Sequence, residues 1–201
     1  MRIAVFVSGR GSNLKAILED TNLKNLVEVG VVFSDKTDCK AFDVAKQYGI
    51  KTFSVGEGIG KIRTADIIEI VFQQNISLIV LAGYLKLIPT ELVNKFENRI
   101  INIHPALLPS FGGKGMYGLN VHRAVFNSSA KVSGATVHMV DKTYDTGRII
   151  AQRCVDISDV KSPKEIAERV LEIEHKLLPE VIQAFALNKI KYIENRIVME
   201  I

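Results

Sequence analysis

Residues 2–14 read RIAVFVSGRGSNL: an apolar run, a turn broken by two glycines, and the start of a helical pattern. Residues 2–7 are apolar on both faces of a strand, as a sheet covered by helices on each side requires. Residues 12–20 continue as a helix. A strand that passes through a glycine turn straight into a helix opens a β-α-β unit, and the first half of the chain repeats that rhythm. Strands are predicted at 27–34, 51–54, 78–82 and 99–104. Helices are predicted at 40–48, stopped by Gly49, at 64–74, and at 89–96 with a proline near the first turn. The alternation predicts an α/β fold with a doubly wound, mostly parallel sheet.

After His104 the rhythm changes. Residues 105–119 are a loop rich in Gly and Pro, and 120–126 read as a helix. The runs 133–140 and 149–157, joined by a polar turn, predict an antiparallel pair of strands. Ser162-Pro163-Lys164-Glu165 has the form of a helix start: a serine cap, proline at the first position, glutamate three after the cap. The long helix should run to Leu187 and bend near Pro179. The tail from Lys189 onward is expected to add one or two edge strands. With no internal repeat and no linker, residues 1–201 read as a single domain.

Composition narrows the function. The chain has 201 residues, 47% hydrophobic and 24% charged, which excludes a disordered or low-complexity protein. Such a length buries a core without metal or disulfide staples. The charge is +4, with no cluster of basic residues and no tryptophan, so nucleic-acid binding is not expected; a weak positive field suits small anionic ligands. No run approaches the roughly 18 apolar residues of a membrane span, and the opening MRIAVFV is too short for a secretion signal, so no membrane association is expected. Cys39 and Cys154 form no metal-binding or disulfide pattern, which fits a reducing cytoplasm. Cys154, inside an apolar run, is expected to be buried, and Cys39 incidental.

Chemistry is expected at three places. Ser8-Gly9-Arg10-Gly11-Ser12-Asn13-Leu14 turns main-chain N–H groups toward an anion at a helix N-terminus, the geometry of phosphate binding. It lacks a P-loop ending and has Leu14 where a dinucleotide fingerprint needs its third glycine, although Asp35 sits near the position of a ribose-binding acid. The plain alternative is a tight turn. The second place is Asn102-Ile103-His104-Pro105. Period two puts Asn102 and His104 on one face at the carboxyl end of a strand, where an amide and an imidazole can hold an oxyanion and handle a proton. The alternative is a structural histidine. The third is Tyr144-Asp145-Thr146-Gly147, a turn that, folded back, would bring a carboxylate to His104 and favour its charged form. His122 and His138 have no carboxylate or cysteine at ligand spacing and read as surface or core residues. Glu172, Glu174 and His175 read as a solvated helix face. No HExxH or GxSxG pattern is present, so neither a zinc site nor a serine hydrolase is expected.

Taken together and in this order, these segments resemble the phosphoribosylglycinamide formyltransferase family of folate-dependent formyltransferases. The segments that carry the resemblance also include Leu81-Ala82-Gly83-Tyr84 and Asn102 through Ser110. The resemblance covers nearly the whole chain. It implies a Rossmann-like formyltransferase fold with a phosphate-binding half, 1–100, and a catalytic and folate-binding half, 101–201, ending in an antiparallel extension and a long helix. It implies transfer of a formyl group from 10-formyltetrahydrofolate to the amine of glycinamide ribonucleotide, a step of purine synthesis, without a metal. Asn102, His104 and Asp145 match the catalytic trio, with His104 kept protonated by Asp145. Gly11, Ser12 and Asn13 would hold the substrate phosphate, and Glu174 the amine end. Folate would lie along Leu85-Lys86-Leu87-Ile88, Val140, Asp141 and Asn102. Lys61 would meet its glutamate tail, with Arg63 a competitor. The Leu108-Pro109 bond is expected to be cis.

Gly112-Gly113-Lys114-Gly115-Met116-Tyr117-Gly118 departs from some members, as does Met139 at an often aromatic position. Related formyl enzymes carry a basic C-terminal domain for tRNA or an N-terminal regulatory domain for hydrolysis. This chain is expected to have neither, and to act as a monomer or homodimer.

Overall fold

The computed structural model describes residues 1–200; Ile201, the end of the expected C-terminal extension, lies outside the described residues. The chain divides into two units, Met1–Asn102 and a second beginning at Ile103.

The first unit alternates strand and helix: β1 (Arg2–Val7), α1 (Ser12–Glu19), β2 (Glu28–Ser34), α2 (Ala41–Gln47), β3 (Lys51–Ser54), α3 (Thr64–Gln73), β4 (Leu78–Leu81), α4 (Thr90–Lys95) and β5 (Ile100–His104). Each lies within two residues of its predicted bounds. β1 pairs in parallel with β2 and β4, β2 with β3, and β4 with β5. The chain therefore begins in the middle of the sheet, builds outward to β3, then crosses back to place β4 on the other side of β1. Such a reversal leaves a crevice at the carboxyl ends of the two strands that flank it. The apolar runs are buried as a covered sheet demands: Ile3–Val7 and all of β4 have no outward face. Phe6 packs at 4.8 Å from Phe33, and Phe33 at 5.9 Å from Phe53, carrying the core across three strands. Burial of Phe6 and of Phe33 stabilises the fold by about 2–3 kcal/mol each.

The second unit holds α5 (Leu119–Asn127), β6 (Val132–Met139), β7 (Ile149–Asp156), α6 (Pro163–Ala186), β8 (Ile190–Ile193) and β9 (Arg196–Met199). The seven-stranded sheet has the order β3-β2-β1-β4-β5-β6-β7, and β6 and β7 are antiparallel as expected. α6 starts as its sequence dictates: Ser162 Oγ accepts the Glu165 N–H at 3.3 Å, and the Glu165 carboxylate accepts the Lys161 N–H at 3.0 Å. The helix lies along α5, β6 and β7 and buries Val170, Leu177, Leu178, Val181 and Ile182. Pro179 sits inside it.

Two expectations need correction. The tail adds no edge strand to the main sheet: β8 and β9 pair with each other as a separate hairpin. The chain turns at Glu194, which takes a φ of 49°, so the hairpin closes its own hydrogen bonds. The expectation for Cys154 is reversed: it is exposed, because β7 ends the sheet order and leaves Gln152, Arg153 and Cys154 open. Cys39 is buried and donates its thiol to the Gly9 carbonyl at 3.3 Å.

Candidate active site

In the first unit the turn after β1 is built from main chain. Gly11 has a φ of 80° and caps α1, and a Cβ there would stand 2.8 Å from the Cβ of Ala41. Glycine is therefore required at 11. At Gly9 a Cβ would meet nothing within 4 Å, so that glycine is not needed for the turn. α1 has no side-chain cap and no acidic residue in its first turn, which leaves its leading N–H groups without a competing carboxylate. Ser12 is its first residue, and Asn13 is buried beside it. Ser8 fastens the turn to the neighbouring strand end: it accepts the Leu85 N–H at 3.0 Å, and its N–H donates to Gly83 at 3.1 Å. The Ser8 hydroxyl also donates to Asp35 at 2.5 Å, so Asp35 braces the turn.

The second unit holds a side-chain centre. Asp145 lies on the turn between β6 and β7 in a left-handed conformation, φ 58°. The turn is shaped by Asp141, which accepts the Thr143 N–H at 2.9 Å and the Thr146 hydroxyl at 2.7 Å. It is also shaped by Gly147, where a Cβ would fall 1.8 Å from the Met139 carbonyl oxygen. His104, at the end of β5, is 3% exposed. Its Nδ1 faces Oδ2 of Asp145 at 3.5 Å, and its Nε2 lies 2.9 Å from the Phe111 carbonyl. Oδ2 also accepts the Gly113 N–H at 2.8 Å. The loop after the cis Leu108-Pro109 bond thus caps both His104 and Asp145. A second histidine completes the cluster: His138 Nε2 faces Oδ1 of Asp145 at 3.5 Å. Beside Asp145 opens a cavity of about 830 Å³, lined among others by Pro109, Gly112, Tyr144, Arg148 and Gln152.

Burial is the largest influence on both ionisable partners. It pushes His104 below the ordinary histidine value; Asp145 and the Phe111 bond pull the ring upward but do not overcome it, and His138 adds to the fall. The expectation that Asp145 keeps His104 charged is therefore corrected in direction, because desolvation of the imidazolium outweighs the carboxylate beside it. For Asp145 burial raises the value, but His138, His104 and the Gly113 N–H together hold it below the usual carboxylate range. His122, buried on α5, is pushed down to about 4 by burial and by His104.

The other expected site residues fall out as follows. Asn102 sits on β5 two residues before His104, on the same face. Glu174 is buried in the apolar stripe of α6 and not on a solvated face, because it shares the inward side with Val170, Leu177 and Leu178. Lys61 donates its ammonium to the Asp35 carbonyl at 2.7 Å, whereas Arg63 is 81% exposed and pairs with Asp66. Leu85, Lys86 and Leu87 are exposed and Ile88 is buried; Val140 and Asp141 are half-buried. His138 was not expected in the site. Its signal was a polar row, Thr136 and His138, on an otherwise apolar strand. The ladder also steps irregularly there, from Val137 opposite Ala151 to His138 opposite Ile149, a bulge of the kind that re-aims a side chain.

Among the described residues no helix is long and apolar enough to cross a membrane. Residues 1–182 match the family model described as formyl transferase. The chain is 43% identical over 96% of its length to a chloroplastic phosphoribosylglycinamide formyltransferase of Arabidopsis thaliana, and 42% identical over 94% to that of Vigna unguiculata. It spans 68% and 62% of the lengths of these plant proteins. The crystal structure of phosphoribosylglycinamide formyltransferase from Anaplasma phagocytophilum superposes with a TM-score of 0.88 at 32% identity, covering 98% of this chain and 92% of that one. With its parallel sheet, its glycine turn and its buried His104–Asp145 centre, the chain belongs to the formyl transferase family.

Proposed function

We propose that this enzyme transfers the formyl group of 10-formyltetrahydrofolate to the amine of glycinamide ribonucleotide, giving the formylated ribonucleotide and tetrahydrofolate. The observation that carries the reading is the buried His104–Asp145 pair, with Asn102 two residues earlier on the same strand face. The amine attacks the formyl carbon and the carbonyl oxygen becomes an oxyanion. Asn102 donates its side-chain N–H to that oxygen. His104 donates from Nε2 once the oxyanion replaces the Phe111 carbonyl as its acceptor. Burial holds the ring below the usual histidine value, and the negative charge of the intermediate favours its charged form. Collapse breaks the bond to the folate nitrogen, which takes up a proton as the former amine loses one. Asp145 orients His104 and serves this exchange. Preorganised donors in a buried site act without reorganisation, which is the main source of such catalysis.

Gly11, Ser12 and Asn13 hold the ribonucleotide phosphate at the N-terminus of α1, supported by the positive φ at Gly11 and the absence of an acidic residue in the first turn. Glu174 holds the amine end. Folate is bound along 85–88 and 140–141, and Arg63, more exposed than Lys61, is the better candidate for its glutamate tail. The two free thiols suit a reducing compartment such as the cytoplasm. Following folate absorbance with purified enzyme tests the reading: product should form only when glycinamide ribonucleotide is added. Equal turnover without it would identify a hydrolase, and no turnover a binding protein.

A further inference from the structure

In the first unit the segment after β4 is fastened to the end of β1 three times. The Ser8 N–H donates to the Gly83 carbonyl at 3.1 Å, the Tyr84 ring stands edge-on to Phe6 at 5.3 Å, and the Leu85 N–H donates to Ser8 Oγ at 3.0 Å. Ser8 is 1% exposed and Leu85 37%, so in the last bond a buried hydroxyl holds the main chain of a surface segment. A serine hydroxyl has one hydrogen and two lone pairs. The hydrogen goes to Oδ1 of Asp35, the residue after β2, which leaves a lone pair for Leu85. Asp35 is held in turn, because the Lys61 ammonium donates to its carbonyl at 2.7 Å. The carboxylate that the sequence offered for a ribose is thus engaged inside the protein.

We propose that Ser8, oriented by Asp35, is a positioning residue that sets the spacing between the phosphate turn and the folate segment 85–88. This rests on the proposed function for what the two segments hold; the hydroxyl link itself does not. Ser8 opens the turn that ends at Gly11 and α1, and Leu85 opens the folate segment. One buried oxygen therefore joins the two subsites. Without it each subsite keeps its own binding groups, but the two can drift against each other. Reacting atoms must meet within about 3–3.5 Å, and a misplacement of about 1 Å costs on the order of a hundredfold in rate. The loss therefore falls on kcat and not on the KM of either substrate. Asp35 acts one step further back, by keeping the hydroxyl from turning its hydrogen toward the Leu85 N–H.

The first test needs no substrate. In amide hydrogen exchange read by NMR, the Leu85 amide should exchange at least about tenfold faster in Ser8→Ala than in the parent. Asp35→Ala, whose freed hydroxyl rotates, should show a smaller acceleration, and Asp35→Asn, whose side-chain oxygen still accepts, should stay near the parent. The amide of residue 8, bonded to Gly83 by main chain, should keep the parent's rate in both Asp35 variants. An unchanged Leu85 amide in Ser8→Ala, or equal acceleration at residues 8 and 85, would overturn the proposal whether or not the enzyme transfers formyl groups. The second test is turnover of 10-formyltetrahydrofolate and glycinamide ribonucleotide. Ser8→Ala should lower kcat by roughly tenfold to a hundredfold, with the KM of each substrate within about twofold of the parent's. Asp35→Ala should lose less, and Asp35→Asn should recover most of that loss. A parent kcat in Ser8→Ala, or a raised KM at unchanged kcat, would overturn the proposal. Should Ser8→Ala fail to fold, the Asp35 pair decides: equal Leu85 exchange in Asp35→Ala and Asp35→Asn would overturn it. A parent without turnover would refute the proposed function and leave the exchange rates to decide this one.

Discussion

The two glycine-marked turns to which the proposed function assigns the chemistry are built in opposite ways. The turn after β1 presents main chain: Gly11 bends it, Ser8 ties it down, and α1 supplies N–H groups. The turn between β6 and β7 presents a side chain: Asp141 and Gly147 shape it so that Asp145 reaches two histidines. A site made of backbone tolerates side-chain changes and fails when its glycine is replaced. A site made of side chains fails at a single atom while the fold stands.

The largest effects should therefore come from the second turn. His104→Ala and Asp145→Asn should each lower kcat by about 10²–10⁴ with unfolding curves close to the parent's, the range for losing a positioned acid–base group. Rates near the parent's in either variant would place the chemistry elsewhere. Next come the glycines. Gly147→Ala forces a Cβ onto the Met139 carbonyl and Gly11→Ala forces one onto Ala41, so each should cost about 3 kcal/mol by denaturant titration. Gly9→Ala should be nearly neutral, because its Cβ meets nothing within 4 Å. Equal losses at 9 and 11 would break the distinction drawn between them.

Smaller effects separate the turns further. Ser12→Asp places a negative charge at the first residue of α1 and should raise the KM of the ribonucleotide about tenfold while leaving that of folate unchanged. An unchanged KM would mean that the phosphate binds elsewhere. The least change is expected from His122. Its value of about 4 lies below the 6.5 of an exposed histidine, so the unfolded chain binds the proton better. Its contribution to stability is whole above pH 6.5 and is lost as the pH falls toward 4. His122→Asn should therefore show a shallower fall of Tm across that window than the parent, and parallel curves would contradict the assignment.

The same difference explains what could be read from the sequence. The turn after β1 is contiguous, so Gly11, Ser12 and Asn13 were legible as one string, and the parallel strands followed from apolar runs that need no outward face. Asn102 and His104 were legible because period two places them together. His138 was not, because its partner lies across a turn and only folding brings the two together. The pKa of His104 was read in the wrong direction because spacing reveals a neighbouring charge but not how far burial withdraws water. Glu174 and Cys154 were misjudged for a related reason: a run of residue types does not state which side of an element faces inward, and β7 stands at the end of the sheet order.

The central claim is that the side-chain centre serves transfer to an amine acceptor. Its most direct measurement is the release of tetrahydrofolate from 10-formyltetrahydrofolate, recorded with and without glycinamide ribonucleotide. Release only with the acceptor, one folate per formylated ribonucleotide and lost in Asp145→Asn, is the predicted result. Release at the same rate without the acceptor would contradict it.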